Sequence, residues 1–362
     1  MRYSRYICKL GGDGGYEKMN NRIMAEKSDK QNIQSIQLLR GIAALGVVLS
    51  HSAALYLPRT NFFQPVSAFG SVGVYIFFII SGFIIPYAML QNKYEISHFK
   101  NLMLRRIMRI EPPSIICIIL ILLLDYLSYF SPWYTGARQV APINWGNVLG
   151  HIGYINAFTH KPWLSPVFWT LAIEFEYYIL IGLTFPLITS NNKKIALLTH
   201  VLLLGSTYLI PHIYAGDEFH IHYSHIISFI PFFLMGTALF LKRARKLTTI
   251  EFGLMIVLDA AVCLQHFGIN ILAVCILSLL SIQFIKRVPK IFLWLGTISY
   301  SLYLTHSLVI ARFMVLSGKV TKDKFSEFRI MLCIMACIAA GYIYYLLFEK
   351  RFVNLSKRVS QK

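Results

Sequence analysis

Long, uninterrupted runs of apolar residues constrain this chain more than any other feature. A run of about 20 such residues can cross the hydrocarbon core of a bilayer as an α-helix. The 362-residue chain contains about ten runs close to this length. Only 14% of its residues are charged, whereas a soluble domain has roughly 25%. The sequence therefore predicts an all-α fold, a polytopic integral membrane helical bundle with about ten transmembrane helices.

The predicted spans are separated by charged or turn-forming residues. They cover residues 38–57, 70–90, 104–127, 166–189, 195–211, 221–241, 250–266, 269–285, 291–316 and 328–348. The seventh and eighth are so close in sequence that they predict a tight helical hairpin. Residues 36–352 form the predicted transmembrane domain, residues 1–35 a basic cytoplasmic lead-in, and residues 353–362 a cytoplasmic tail.

The distribution of positive charge predicts the orientation of the bundle. The formal net charge of +19 would also suit a nucleic-acid-binding protein. Here, however, Lys and Arg occur in short clusters between apolar runs, which is typical of cytoplasmic loops. Most of them lie in the terminal segments and in residues 91–109, 242–246 and 286–290. Both termini are therefore predicted to be cytoplasmic, and nucleic-acid binding is not expected.

Cysteine and histidine patterns give no metal-site prediction. Five of the six cysteines fall inside apolar runs and none forms a C-x-x-C pair, which argues against a metal knuckle, a redox motif or a disulfide framework. His220, His222 and His225 cluster in a predicted outer loop and have a spacing compatible with metal ligands. A wet interfacial loop explains them equally simply, so no metal is predicted.

Two ionisable residues share one face of the first span. Arg40 and His51 are eleven positions apart, which on an α-helix is three turns plus about 20° and roughly 16 Å along the axis. A charge in the bilayer is costly and needs a partner or a function. Arg40 would lie at the cytoplasmic mouth and His51 in the outer half. Either they are an orientation signal and a structural histidine, or they belong to an active site.

A carboxylate and an arginine cluster extend this pattern. Glu174, in the fourth span, is predicted at the depth of His51, where a carboxylate would orient an imidazole as a general base; helix pairing is its alternative role. Arg105, Arg106 and Arg109 lie at the cytoplasmic start of the third span. Together with Arg40 they predict a multidentate phosphate site or a plain topology signal.

Small and polar residues distinguish two further spans. Ser81 and Gly82 allow close approach by a neighbouring helix or by a slender ligand. The ninth span carries Tyr300, Tyr303 and His306 among several Ser and Thr residues, so it is predicted to face the bundle interior rather than lipid. Four of the five tryptophans lie within residues 133–169, where they either form an interfacial belt or stack on sugars.

In chain order, five motifs resemble those of the acyltransferase family 3 integral membrane proteins, which O-acylate surface polysaccharides and other glycans. The matching residues are Arg40 and His51; Phe77, Phe78, Ser81, Gly82 and Phe83; Arg106, Arg109, Ile110 and Pro112; Trp169, Leu171 and Glu174; and Ser299, Tyr300, Tyr303 and His306. Three positions depart from the family pattern: Thr170 replaces a serine, Phe175 a second glutamate, and Arg351 a proline.

The resemblance implies transfer of an acyl group, usually acetyl, from cytoplasmic acetyl-CoA or another acyl-CoA to a glycan hydroxyl. The acceptor would be a cell-surface or lipid-linked glycan, and the location the bacterial cytoplasmic membrane. Acyl-CoA would be a donor substrate, with no permanently bound cofactor. The implied catalytic residues are His51 and Glu174, and the implied donor-binding residues are Arg40, Arg105, Arg106 and Arg109. The implied substrate-binding residues are Ser81, Trp169, Tyr300, Tyr303 and His306. Direct transfer and an acyl-histidine intermediate are both compatible with this set.

A transporter or flippase is the alternative from another class, because it also places ionisable residues within membrane spans. Asp259, in the seventh predicted span, would then be the proton-coupling residue. The sequence shows neither the two-fold repeat nor the paired broken helices that are typical of transporters. The acyltransferase interpretation is therefore preferred.

Overall fold

The computed structural model describes residues 34–53, 70, 72–130, 143–209, 225–321 and 326–359. Within these ranges the secondary structure is helical, without a β-strand. Seven helices in this part of the chain are long and apolar enough to cross a membrane. The predicted all-α transmembrane architecture is therefore confirmed, while the number ten stays a prediction.

The helices follow the apolar runs of the sequence. In chain order they are α1 (Gln34–Ala53), α2 (Gly73–Gln91), α3 (Phe99–Tyr129), α4 (Trp145–Ile152), α5 (Phe168–Ile188), α6 (Lys193–Gly205), α7 (Ile230–Arg243), α8 (Thr249–Phe284), α9 (Lys290–Thr321), α10 (Ser326–Tyr344) and α11 (Lys350–Ser356). A π-helical turn, Tyr345–Glu349, joins α10 to α11, so the last helical segment extends beyond the predicted end at residue 348.

Helix α8 is a hairpin rather than one straight rod. Gly268 has φ 81° and ψ 173°, a non-helical conformation that glycine adopts without a Cβ clash. Lys242 Nζ donates to Thr249 Oγ1 at 2.7 Å, at the start of α8. The next residue, Arg243, donates from Nη2 to the Ile282 carbonyl at 2.7 Å, at its other end. A straight helix would separate those ends by about 50 Å, so the chain reverses at Gly268 as predicted.

Helix α7 lies in the centre of the bundle, where every residue from Ile230 to Leu241 is buried. It crosses α2 in backbone contact. A Cβ on Gly82 would lie 2.1 Å from the Phe233 carbonyl oxygen, and a Cβ on Gly236 would lie 2.1 Å from the Ile79 carbonyl oxygen. Small residues permit such close crossings. Gly82 is therefore the packing notch of the Ser81-Gly82 pair.

The start of the sixth span differs from the prediction. The apolar run suggested a helix from residue 221, but α7 begins at Ile230, and residues 226–228 form a separate 3₁₀ turn. Pro231 occupies the first turn of α7. Proline is favoured there because the first helical N–H groups have no intrahelical partner. Proline, and not the length of the apolar run, therefore marks this helix boundary.

Helices α1 and α9 run side by side in the same direction. Arg40 Nε on α1 donates to Ser299 Oγ on α9 at 3.1 Å. Further along both helices, the rings of His51 and His306 lie 5.1 Å apart between centroids. The prediction that Arg40 and His51 share one helix face is therefore confirmed, and that face is directed at α9.

Candidate active site

Two adjoining cavities share α2 and α3: the first is completed by α11, and the second by α1, α5 and α9. The first, which we call the basic vestibule, has a volume of about 260 Å³, and its polar lining comprises Asn92, Tyr94, His98, Asn101, Arg105, Arg106, Arg109, Ser356 and Lys357. The second, which we call the central chamber, has a volume of about 230 Å³, and its polar and aromatic lining comprises Arg40, Phe77, Phe78, Ser81, Arg106, Arg109, Thr170, Glu174, Tyr178, Ser299, Tyr300 and Tyr303. Arg106 and Arg109 line both and mark their junction.

The predicted arginine cluster is assembled, but its members are not equivalent. Arg40, Arg106 and Arg109 converge on the central chamber from α1 and α3. Arg105 lines only the basic vestibule, and its Nε and Nη2 donate to the Val359 carbonyl at 3.0 and 2.7 Å. The Arg105 guanidinium therefore uses two of its N–H donors to hold residue 359, the last described residue, against α3.

Glu174 lies in the central chamber with several polar partners. The Tyr178 hydroxyl, one turn later on α5, donates a short hydrogen bond to Glu174 Oε1, and Ser81 Oγ on α2 donates a longer one of 3.4 Å. The Arg106 guanidinium carbon lies 5.1 Å from the Tyr178 ring centroid, within the range of a cation–π contact. The Glu174 carboxylate is therefore oriented by neighbours from three helices.

A second carboxylate near the arginine cluster, Glu349, was not predicted from the sequence as a site residue. It is only 3% exposed and lies in the π-helical turn after α10. It accepts hydrogen bonds from Ser301 N at 3.2 Å and Ser301 Oγ at 2.5 Å, and it interacts electrostatically with Arg40 and Arg109. Its signal was a carboxylate at the end of an apolar run, which needs a compensating partner. Its charge offsets part of the arginine cluster.

Two tyrosines of α9 also line the central chamber. The Tyr303 hydroxyl is hydrogen-bonded to Thr170 Oγ1 at 2.8 Å, and its ring makes an edge contact with Phe77. Tyr300 also lines the chamber and donates its hydroxyl to the Ile110 carbonyl at 2.8 Å. Among the predicted substrate-binding residues, Ser81, Tyr300 and Tyr303 therefore meet at one cavity.

Trp169 and His306 lie away from that cavity. Trp169 packs against Phe229 with ring centroids 5.6 Å apart. His306 is fully buried behind Tyr303, and its Nδ1 bonds to the Tyr303 carbonyl at 2.6 Å. Neither belongs to the described lining of the central chamber. Substrate contact by these two residues stays a prediction.

The predicted pairing of Glu174 with His51 stays a prediction. Glu174 accepts hydrogen bonds from Tyr178 and Ser81, and the His51 ring lies against His306. His51 is also absent from the described lining of the central chamber. The sequence predicted Glu174 and His51 at one depth in the bilayer. The catalytic roles of both residues stay predictions.

Residues 143–167, which lie in the described part of the chain between α3 and α5, contain the short helix α4, and we call them the α4 cap. His151 of α4 is buried, and its Nε2 accepts the Leu164 N–H at 2.7 Å while its Nδ1 lies 2.8 Å from the Asn147 carbonyl. Trp133 lies outside the described residues, as do His220 and His222. His225, the third histidine of that group, contacts Glu176 at 3.4 Å.

Asp259, the residue singled out by the transporter alternative, is paired inside the bundle. Its Oδ1 lies 2.9 Å from His200 Nε2, and both side chains are almost fully buried between α8 and α6. Neither residue is part of the described lining of the basic vestibule or the central chamber. The pair therefore belongs to a different part of the bundle from the arginine cluster.

Comparison with known proteins identifies the family. Residues 33–345 match a family model described as an acyltransferase domain. The chain is also similar to the O-acetyltransferase OatA of Staphylococcus aureus strain NCTC 8325 / PS 47, with 25% identity over 199 residues. The same identity is found with OatA of strains COL and MRSA252. The match covers 51% of this chain and 30% of the relative's length.

No solved structure matches the chain. The family model, however, covers most of the sequence and includes every residue of the five motifs. Those motifs also supply much of the polar lining of the two cavities described above. This protein therefore belongs to the acyltransferase family that its motifs resemble.

Proposed function

We propose that this protein is a membrane-bound O-acyltransferase that moves an acetyl group from cytoplasmic acetyl-CoA to a hydroxyl of a cell-surface or lipid-linked glycan. One observation carries the proposal: Arg40, Arg106 and Arg109 converge on a chamber that also contains Glu174. Family membership supports acyl transfer, and the O-acetyltransferase relatives support an oxygen acceptor and an acetyl group.

The two cavities suit a donor with an anionic head and a slender acyl arm, which is the shape of an acyl-CoA. Guanidinium groups bind phosphate through paired hydrogen bonds. The basic vestibule supplies Arg105, Arg106, Arg109 and Lys357 for the phosphates. In this proposal the pantetheine arm enters the central chamber between the arginines and brings the thioester towards Tyr303.

The reaction needs a base for the acceptor hydroxyl, and we assign this role to His51. His51 takes the hydroxyl proton while the oxygen bonds to the thioester carbonyl carbon. The carbon–sulfur bond then breaks, and the thiolate takes the proton from the imidazolium. The arginines stabilise the negative charge that develops in this step. An acyl-histidine route would instead leave an acetylated His51 peptide after rapid quenching, which mass spectrometry detects.

The proposed function also requires a particular orientation of the protein in the membrane. The basic vestibule and both termini face the cytoplasm, where acyl-CoA is found, and the α4 cap faces the acceptor. Trp145 and Phe158 of this cap are 64% and 61% exposed, and aromatic faces of this kind suit the apolar faces of sugars. Acetyl-CoA leaves after transfer as CoA, so no permanently bound cofactor is required.

Labelled donor tests the function directly. Membranes containing the protein are incubated with acetyl-CoA labelled in its acetyl group, and the glycan fraction is recovered. We expect label in the glycan, and none when His51→Ala protein is present at the same level. A flippase would move glycan across the membrane without labelling it, so movement without label would contradict the proposal.

A further inference from the structure

His306 is held in one orientation and retains an unused ring nitrogen. Its Nδ1 bonds to the Tyr303 carbonyl at 2.6 Å. Because a carbonyl oxygen only accepts, Nδ1 carries the hydrogen, and in the neutral ring Nε2 then carries a lone pair. Nε2 is fully buried and has no hydrogen-bond partner among the described residues. A buried acceptor left in this state is costly, so it calls for an explanation.

One neighbour of the His306 ring is another histidine. The rings of His51 and His306 are 5.1 Å apart between centroids and inclined by 57°. Each imidazole nitrogen lies about 1.1 Å from its ring centre, and a hydrogen bond spans about 2.9 Å, so two imidazoles sharing one N–H···N bond have centroids about 5 Å apart. The separation of the His51 and His306 rings is therefore the one that a shared N–H···N bond requires.

We propose that His306 is a positioning residue for His51, with its Nε2 accepting a hydrogen bond from a His51 N–H. This inference rests on the proposed function of His51 as the base. The hydrogen bond would place the His51 lone pair on its other ring nitrogen, where it meets the acceptor hydroxyl. A neutral imidazole thus does what a carboxylate does in a Ser-His-Asp triad.

The proton balance of the transfer is unchanged by this arrangement. His51 takes the acceptor proton as the new carbon–oxygen bond forms, and the imidazolium charge is shared with His306 through the N–H···N bond. The same proton then passes to the departing thiolate when the carbon–sulfur bond breaks. His306 gains and loses no proton overall, so its role is to orient and stabilise His51.

Three variants of the full chain in lipid nanodiscs test the kinetic consequence. His306→Phe keeps a ring but removes the acceptor, and His306→Gln returns an acceptor oxygen near the position of Nε2. Thr305→Val is the matched control, because Thr305 is equally buried and donates only within α9, to the Ser301 carbonyl. We expect His306→Phe to lower kcat on the order of 100-fold with unchanged donor KM. His306→Gln should recover most of this loss, and Thr305→Val should stay within about twofold of wild type.

A spectroscopic measurement tests the inference without needing activity. In protein labelled with ¹⁵N-histidine, the His51 signals are assigned by their loss in His51→Ala. We expect wild-type His51 to show a single tautomer, and His306→Phe to show averaging between the two. Mixed tautomers in the wild type, or an unchanged tautomer in His306→Phe, would overturn the inference. Equal loss of kcat in His306→Phe and His306→Gln would do the same.

Discussion

The Tyr178 hydroxyl donates a hydrogen bond to the Glu174 carboxylate from one helical turn further along α5. The Tyr178 ring simultaneously lies beneath the guanidinium of Arg106. Tyr178 therefore contacts both the Glu174 carboxylate of the central chamber and Arg106 at the junction of the two cavities. This connection links two of the polar groups that the sequence analysis placed in separate motifs, Glu174 and Arg106.

Glu174 and Tyr178 should act as one unit. We expect Glu174→Gln and Tyr178→Phe each to lower turnover by about tenfold or more, because the first removes the charge and the second the donor of a charge-assisted hydrogen bond. The double variant should have a turnover only slightly below that of the less active single variant, because the effects of residues in direct contact are non-additive. Tyr177→Phe is the control, because its hydroxyl lies near Thr237 instead. Steady-state kinetics measures this, and multiplicative losses would show that the two residues work separately.

His51→Ala should abolish acyl transfer while leaving membrane insertion intact. Removal of a general base costs roughly 10²–10⁴-fold in rate. Ser52→Ala is the neighbouring control, since Ser52 donates to the Val48 carbonyl one turn earlier on the same helix. Labelled acetyl transfer at matched protein level is the measurement. Normal glycan acetylation by His51→Ala would leave His51 as a structural histidine.

Replacement of Arg40, Arg106 or Arg109 by lysine should weaken donor binding. Lysine keeps the charge but loses the paired donors that fit a phosphate. For Arg40→Lys, Arg106→Lys and Arg109→Lys we expect donor affinity to fall by about tenfold, the effect of losing one charge-assisted hydrogen bond. Arg105→Lys should have a smaller effect, because the Arg105 guanidinium also bonds the Val359 carbonyl.

Titration of each arginine variant with acetyl-CoA separates a donor site from a topology signal. Arg243→Lys serves as the control, because Arg243 bonds the Ile282 carbonyl at the end of the α8 hairpin. Unchanged affinity in Arg40→Lys, Arg106→Lys and Arg109→Lys would mean that these arginines determine orientation only.

A methyl group at Gly82 should prevent the close crossing of α2 and α7. The added Cβ would lie 2.1 Å from the Phe233 carbonyl oxygen, so one helix backbone would have to move. We expect Gly82→Ala to lower the yield of folded protein and its thermal midpoint. Gly253→Ala is the matched control, with no atom within 4 Å of its added Cβ. It should be neutral or slightly stabilising, because alanine favours helix more than glycine does. Equal midpoints for both variants would argue against the packing role of Gly82.

The α4 cap should loosen at mildly acidic pH. Burial lowers the pKa of His151 below its ordinary value of 6.5, so the folded protein holds this ring neutral while the unfolded chain takes up a proton. The stability contributed by the neutral ring is complete above pH 6.5 and is lost as the pH falls towards the folded-state pKa. Thermal midpoints between pH 8 and 5 measure this loss. His151→Gln should show a smaller decrease, and an equal decrease would assign the effect to other groups.

The sequence by itself determined the bundle and several local features. Apolar run length predicted the helices, because a span must satisfy its backbone hydrogen bonds internally and cover the thickness of the hydrocarbon core. Helical periodicity placed Arg40 and His51 on one face, and both contact α9. The short link at Gly268 predicted the α8 hairpin. Run length, helical periodicity and a short link depend only on residues close together in the sequence, so they do not depend on how the helices pack.

Only the tertiary structure decided which polar groups meet. The depth of a residue in a predicted span does not specify the direction in which its side chain points around the helix axis. Packing of α5 against α2 and α3 brought Glu174 to Ser81, and Tyr178 to Arg106. The π-helical turn after α10 turned Glu349 towards Ser301 and the arginines. Contacts between helices far apart in sequence depend on how all of them pack together, and no local pattern encodes that arrangement.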